Sequence, residues 1–112
     1  MNKQEYLQWC GTLSGTAIDQ PFDNDFDTYI VRHSDTGKWF AAVLEHKDRW
    51  MVNLKCDPIE SKFLQSVFQG VTPGYHMNKT HWISVYFESD VPDELLCQLT
   101  NASFRLTDKR KK

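Results

Sequence analysis

The sequence predicts an α+β domain, a two-layer sandwich in which helices cover one antiparallel sheet. Three observations predict it. Segments with alternating apolar residues occur in hairpin-sized groups separated by turn residues. Segments with a helical period stand apart from them, at both ends and in the middle, instead of alternating one for one with strands. A chain of 112 residues, 40% hydrophobic and 25% charged, has ordinary globular composition and enough apolar material for one core. The expected order is α-β-β-β-α-β-β-α. The expected organisation is one domain over residues 1–108 and a basic tail at 109–112.

The first helix is expected over residues 3–13, where Tyr6, Cys10 and Leu13 recur at helical spacing and Leu7 and Trp9 widen the stripe. Gly15 and Pro21 then punctuate a loop. The acidic stretch from Asp19 to Asp27 continues it, with Phe22 and Phe26 as anchors to the core. Three strands follow at 28–33, 38–45 and 49–55. Ser34-Asp35-Thr36-Gly37 and His46-Lys47-Asp48 form the turns of this antiparallel meander.

The second helix has a defined start. Asp57 can cap it, Pro58 fits its first position, and Glu60 stands three residues after the cap. Ile59, Phe63 and Val67 share one face, supported by Leu64, and Gly70 is the expected stop. Strands at 71–77 and 81–87 surround a turn at Asn78-Lys79. Pro73 and Gly74 make the first of them short or peripheral. Pro92, Asp93 and Glu94 open the third helix, whose apolar stripe reads Leu95, Leu99, Ala102 and Leu106.

Charge and cysteine usage bound the function. The net charge is −2 and the pI about 6.0, without the basic excess of a dedicated nucleic-acid binder, so any DNA contact must come from a local patch. Lys109-Arg110-Lys111-Lys112 is such a local bias, read first as a solvated end and second as a phosphate contact. Cysteines at 10, 56 and 97 are odd in number, widely spaced and without a CxxC pair. That excludes a disulfide framework and suits a reducing cytosol. The N-terminal residues lack the apolar region of a signal peptide, and no apolar run reaches the roughly 18 residues of a membrane span. A cytoplasmic, membrane-independent protein is expected.

No P-loop, nucleophile elbow or dinucleotide fingerprint is present. Cys56 beside Lys55 has two readings, an activated thiol or a small buried residue; the second is preferred at a strand–helix boundary. Asp23, Asp25 and Asp27 lie in a turn-rich loop without a partner acid. His76 and His81 straddle the last hairpin turn, but a structural zinc site needs four ligands and no cysteine pair is nearby. Their expected role is to fix the hairpin or to touch a ligand at its tip. The expectation is a protein that is not an enzyme and has no metal or cofactor.

Strand alternation assigns Val52, Leu54, Ile83 and Val85, with Trp50, to the face beneath the helices. The opposite face is expected to be open and to collect Arg49, Lys55, Trp82 and Tyr86. Cations interleaved with aromatics can hold phosphates and stack bases. The alternative is a solvated sheet face whose aromatics serve cross-strand pairing.

Asn53-Leu54-Lys55-Cys56-Asp57-Pro58, the run from Pro73 to Trp82 (PGYHMNKTHW), and Val91-Pro92-Asp93-Glu94-Leu95-Leu96 closely resemble the MmcQ/YjbR family. The resemblance covers nearly the whole chain, and the hairpin run is its specific part. It implies a small cytoplasmic domain of bacterial type that binds DNA through a double-wing motif. Taken with the face argument, it nominates Arg49, Lys55, His76, Asn78, Lys79, His81, Trp82 and Tyr86 as nucleic-acid contacts. Weak, salt-dependent DNA binding is expected. The alternative is an adaptor that takes a protein or a small ligand on the same aromatic surface.

Overall fold

The computed structural model describes residues 1–22 and 27–108. Its elements are α1 (Lys3–Cys10), β1 (Thr16–Asp19), β2 (Tyr29–His33), β3 (Trp39–His46), β4 (Arg49–Lys55), α2 (Pro58–Val67), β5 (Val71–Pro73), β6 (Trp82–Tyr86) and α3 (Asp93–Leu106). The strands form one six-stranded antiparallel sheet in the order β1-β2-β3-β4-β6-β5. The expected α+β sandwich is the observed fold, with one strand more than the sequence suggested.

That extra strand is β1. It pairs with β2 at the sheet edge, and the Asp19 carboxylate accepts two N–H groups of the Arg32 guanidinium at 3.1 Å each. It buries almost nothing, so its four residues carry no alternating apolar signal, and the sequence there reads as a loop. Asp23, Asp25 and Phe26 of the acidic stretch lie outside the described residues, as does the 109–112 tail.

Asn2 caps α1, accepting the Glu5 N–H while the Glu5 carboxylate accepts the Asn2 N–H. The helix then tightens, with Thr12 and Leu13 donating to the carbonyls three residues back, which ends it at Cys10. Lys47 and Asp48 both take positive φ, the two-residue hairpin geometry that joins β3 to β4.

The helix-side face of the sheet holds the core. Val31, Ala41, Val43, Val52, Leu54, Ile83 and Val85 join Tyr6 and Cys10 of α1, Leu64 of α2, and Leu96 and Leu99 of α3 in one cluster. Trp50 packs at its margin. The strand faces are those the alternation predicts.

Two helices present different faces from those expected. In α2, Asp57 caps as expected, accepting from Ile59 and Glu60. Ile59, Phe63 and Val67 do share a face, but it points to water: they are 81%, 63% and 51% exposed, and only Ser61 and Leu64 are buried. The helix stops at Val67, because Phe68 is already extended. Gly70 has another role: a Cβ there would lie 2.2 Å from Ser89 Oγ, so the loop before α3 can approach only a glycine. In α3 the buried face is Leu96, Leu99, Thr100 and Ser103: Leu99 of the expected stripe is buried and Leu95 packs at the core's margin, but Leu106 is exposed. Phe22 reaches not the core but the sheet's other side, edge-on to Trp39 with ring centres 6.1 Å apart.

Candidate nucleic-acid interface and the adjoining pocket

The second face of the sheet carries the candidate residues, and its pairing register fixes who meets whom. Lys55 stands opposite Trp82, Asn53 opposite Ser84, and Met51 opposite Tyr86. Arg49 extends the row, with its guanidinium 4.1 Å from the Tyr86 ring centre, a cation–π contact. Arg49 and Lys55 are six residues apart on one strand, about 20 Å at the usual rise per residue.

This face is not open, contrary to the expectation. Met51, Asn53 and Ser84 are essentially inaccessible. The reason is the segment between β5 and β6. Pro73 cannot donate to a ladder, β5 ends there, and the chain folds back over the sheet. Two hydrogen bonds hold it down, and a third joins the two side chains that make them. The Asn53 amide donates to the Tyr75 carbonyl at 2.8 Å, the Tyr75 N–H donates to Ser84 Oγ at 2.8 Å, and Ser84 Oγ donates to the Asn53 side-chain oxygen. Gly74 makes the crossing, because a Cβ there would meet the Trp82 Cβ at 2.8 Å.

The hairpin candidates are largely occupied in building this segment. The Lys79 ammonium donates to the Gly74 carbonyl at 2.8 Å, so Lys79 is a loop strut and not merely a solvated cation. Asn78 Oδ1 accepts from the N–H groups of Thr80 and His81. His76, at φ 63°, lies against Tyr75 with ring centres 4.0 Å apart, and Tyr75 lies against His46 at 4.1 Å. The nominated residues therefore form two groups: cation–aromatic pairs at the two ends of the β4–β6 pair, and struts of the covering loop between them.

Beside that loop, the face sinks into a pocket of about 420 Å³ lined by Phe22, Thr28, Ile30, Trp39, Ala42, Leu44, Glu45, Asn53, Tyr75, His76 and Met77. Sequence reasoning missed it. Its signal was Ala42, a small residue between the large Trp39 and Leu44 that share its face, but the depth depends on where Tyr75 comes to rest. A second cavity of about 430 Å³ lies where α1 begins, next to Arg49, and Lys3 Nζ sits there 4.1 Å from the Trp50 ring centre.

His33, assigned no role from sequence, is buried between Phe40 and Phe104, and its Nε2 is 2.8 Å from Thr107 Oγ1. It ties the end of β2 to the end of α3. The thiols are not activated. Burial pushes Cys56 up to about 11 and Cys10 up to about 12, and burial also raises Cys97. Among the described residues, no group of three His, Cys, Asp or Glu side chains could hold a metal, and no helix is long and apolar enough to cross a membrane.

Comparison with known proteins places this architecture. The family model described as YjbR matches residues 11–106. YbdF of Escherichia coli O157:H7 is 40% identical over 86 residues, covering 77% of this chain and 67% of its own length. YjbR of Escherichia coli K12 is 32% identical over 105 residues, covering 94% and 86%. A Pseudomonas syringae protein known from its crystal structure superposes with a TM-score of 0.87 at 30% identity, covering 96% of this chain and all of its own.

Proposed function

This chain belongs to the YjbR family, and on that premise we propose that it is a binding module which engages nucleic acid along the ends of its β4–β6 strand pair. The observation that carries this reading is the repeated cation–aromatic arrangement on one face. Arg49 lies over Tyr86 at one end, and Lys55 faces Trp82 across the strands at the other. Each pair offers a phosphate contact next to a ring on which a base can stack. The covering segment from Gly74 to His81 stands between them as a wing, exposing His76 and His81.

The net charge of −2 sets the character of the binding. Attraction comes from a few local cations, so affinity is weak and falls steeply with salt. With about three to five phosphates neutralised, the slope of log affinity against log salt is roughly −3 to −4.5. Anisotropy titrations of single- and double-stranded oligonucleotides at two salt concentrations test this. Arg49→Gln with Lys55→Gln should flatten the slope by roughly 2, about one for each phosphate that no longer meets a cation. Trp82→Ala should weaken single-strand binding by about 1–3 kcal/mol. Lys79→Gln is a poor probe, because it also removes the strut to Gly74. Absence of binding at low salt would favour the adaptor reading, in which the same surface takes a protein or small ligand without engaging phosphates.

A further inference from the structure

We propose that the pocket on the second sheet face is a binding site for one uncharged, flat aromatic or heteroaromatic molecule. It is distinct from the cation–aromatic pairs, and it stands whether or not nucleic acid binds there.

The shape comes first. On β3 itself Trp39 and Leu44 are large, but Ala42 between them is not, so the surface drops between Leu44, Trp39 and the covering loop. The resulting volume of about 420 Å³ lies within the roughly 300–1,000 Å³ typical of small-molecule sites. The floor is Ile30 and Ala42, both buried, and the walls are Trp39, Phe22, Tyr75, Leu44 and Met77. Aromatic and thioether walls favour a flat apolar body over a branched polar one.

Charge selects next. Glu45 borders the pocket, but it pairs with Trp50 in the same alternation that pairs Val43 with Val52, so the pleat turns its carboxylate to the helix side. Among the described residues, no lysine, arginine or aspartate lines the cavity. A phosphate or carboxylate placed here would lose its water and meet no lysine or arginine, which disfavours an anionic occupant.

Hydrogen bonding then fixes orientation. The Asn53 side chain is 2% exposed and borders the floor. Its amide has two N–H groups and its oxygen two lone pairs, and among the described residues one of each is used, toward Tyr75 and Ser84. The second N–H and the second lone pair take no partner among the described residues, so either can meet a polar atom of a planar ligand. The bonds already made hold the amide rigid, so no side-chain freedom is lost on binding.

The experiment titrates the whole protein with N-phenyl-1-naphthylamine, an uncharged diaryl amine whose fluorescence rises in apolar surroundings. Saturable one-to-one binding is expected. Ala42→Phe fills the floor and should weaken it at least about tenfold, and Met77→Glu, which puts a carboxylate in the half-buried wall, should do the same if Ala42→Phe fails to fold. Phe63→Ser, on the exposed face of α2, should leave it unchanged. The Asn53 side-chain amide resonances should shift on saturation. Non-saturating fluorescence, or binding that survives Met77→Glu and disappears with Phe63→Ser, would overturn the proposal and place the probe on α2. The oligonucleotide titration reads Arg49, Lys55 and Trp82, so failure of one experiment leaves the other intact.

Discussion

Helices α2 and α3 lie on the same side of one sheet and are attached to it in opposite ways. α2 turns Ile59, Phe63 and Val67 to water and is held chiefly at its ends. Asp57 caps its start, and beyond its finish the Asp90 carboxylate accepts the N–H groups of Gln69 and Gly70 at 2.8 Å each. α3 exposes Leu106, but it and its C-cap residue Thr107 bury three hydroxyls, each with a defined partner. Thr100 meets the Tyr6 phenol, Thr107 meets His33, and Ser103 spans two strands, donating to the Phe40 carbonyl at 2.6 Å and accepting the Lys55 N–H at 2.9 Å. Apolarity alone therefore does not say which face of a helix is inside. A small hydroxyl that satisfies strand ends can be buried while a phenylalanine stays outside.

The largest consequence of this contrast is at Ser103. Ser103→Ala removes one oxygen and strands a buried carbonyl, at about 1–3 kcal/mol, and a partly buried N–H, at less. A loss of roughly 2–4 kcal/mol is expected in a urea melt, although the side chain becomes more apolar. An unchanged midpoint would mean that the α3 hydroxyls are bystanders. Next is the α2 cap: Asp57→Ala should cost about 0.5–2 kcal/mol, and a loss matching that at Ser103 would show that α2 is held as firmly as α3.

The same contrast explains what the sequence could disclose. Local signals were sound: the Asp57-Pro58 start of α2, the Arg49–Lys55 strand and the alternation that puts Val52, Leu54, Ile83 and Val85 inside all describe chemistry within a few residues. The failures are tertiary. Nothing near Phe63 in sequence tells that its helix turns Leu64, and not Phe63, toward the sheet. Nothing near Ser103 names Phe40, 63 residues earlier, as its acceptor. The candidate site failed in the same manner. Arg49, Lys55, Trp82 and Tyr86 were correctly placed on one face, but its closure depends on Asn53 meeting Tyr75 across 22 residues. β1 was missed because an edge strand that buries nothing has no pattern to read.

The clamp at the far end of α2 has a pH signature. Hydrogen bonds from Gln69 and then Gly70 hold the Asp90 carboxyl below its ordinary value. A depressed folded-state value means that the ionised form is favoured by folding. Its contribution is complete above the unfolded value, near about 3.9, and is lost as pH falls through the lower folded one. Asp90→Asn should therefore lower the melting temperature at neutral pH and narrow the gap to the wild type as pH drops below about 4. A gap that stays constant down to the acid limit would remove the carboxylate from the account and leave only the shape of the loop.

The smallest effect is expected where an apolar residue is most exposed. Ile59 is 81% exposed, so most of its side chain gains nothing from folding. Replacing it with glutamine keeps the backbone N–H that donates to Asp57, and glutamine has a slightly better helix propensity than isoleucine. The lost burial and the gained propensity are both small and opposite in sign, so Ile59→Gln should change stability by no more than about 0.5 kcal/mol. The pair of substitutions then inverts the usual expectation. A polar replacement of isoleucine on α2 is silent, and an apolar replacement of serine on α3 is severe. If Ile59→Gln costs as much as Ser103→Ala, the α2 stripe is covered by something in solution, and the contrast between the two helices belongs to the isolated chain alone.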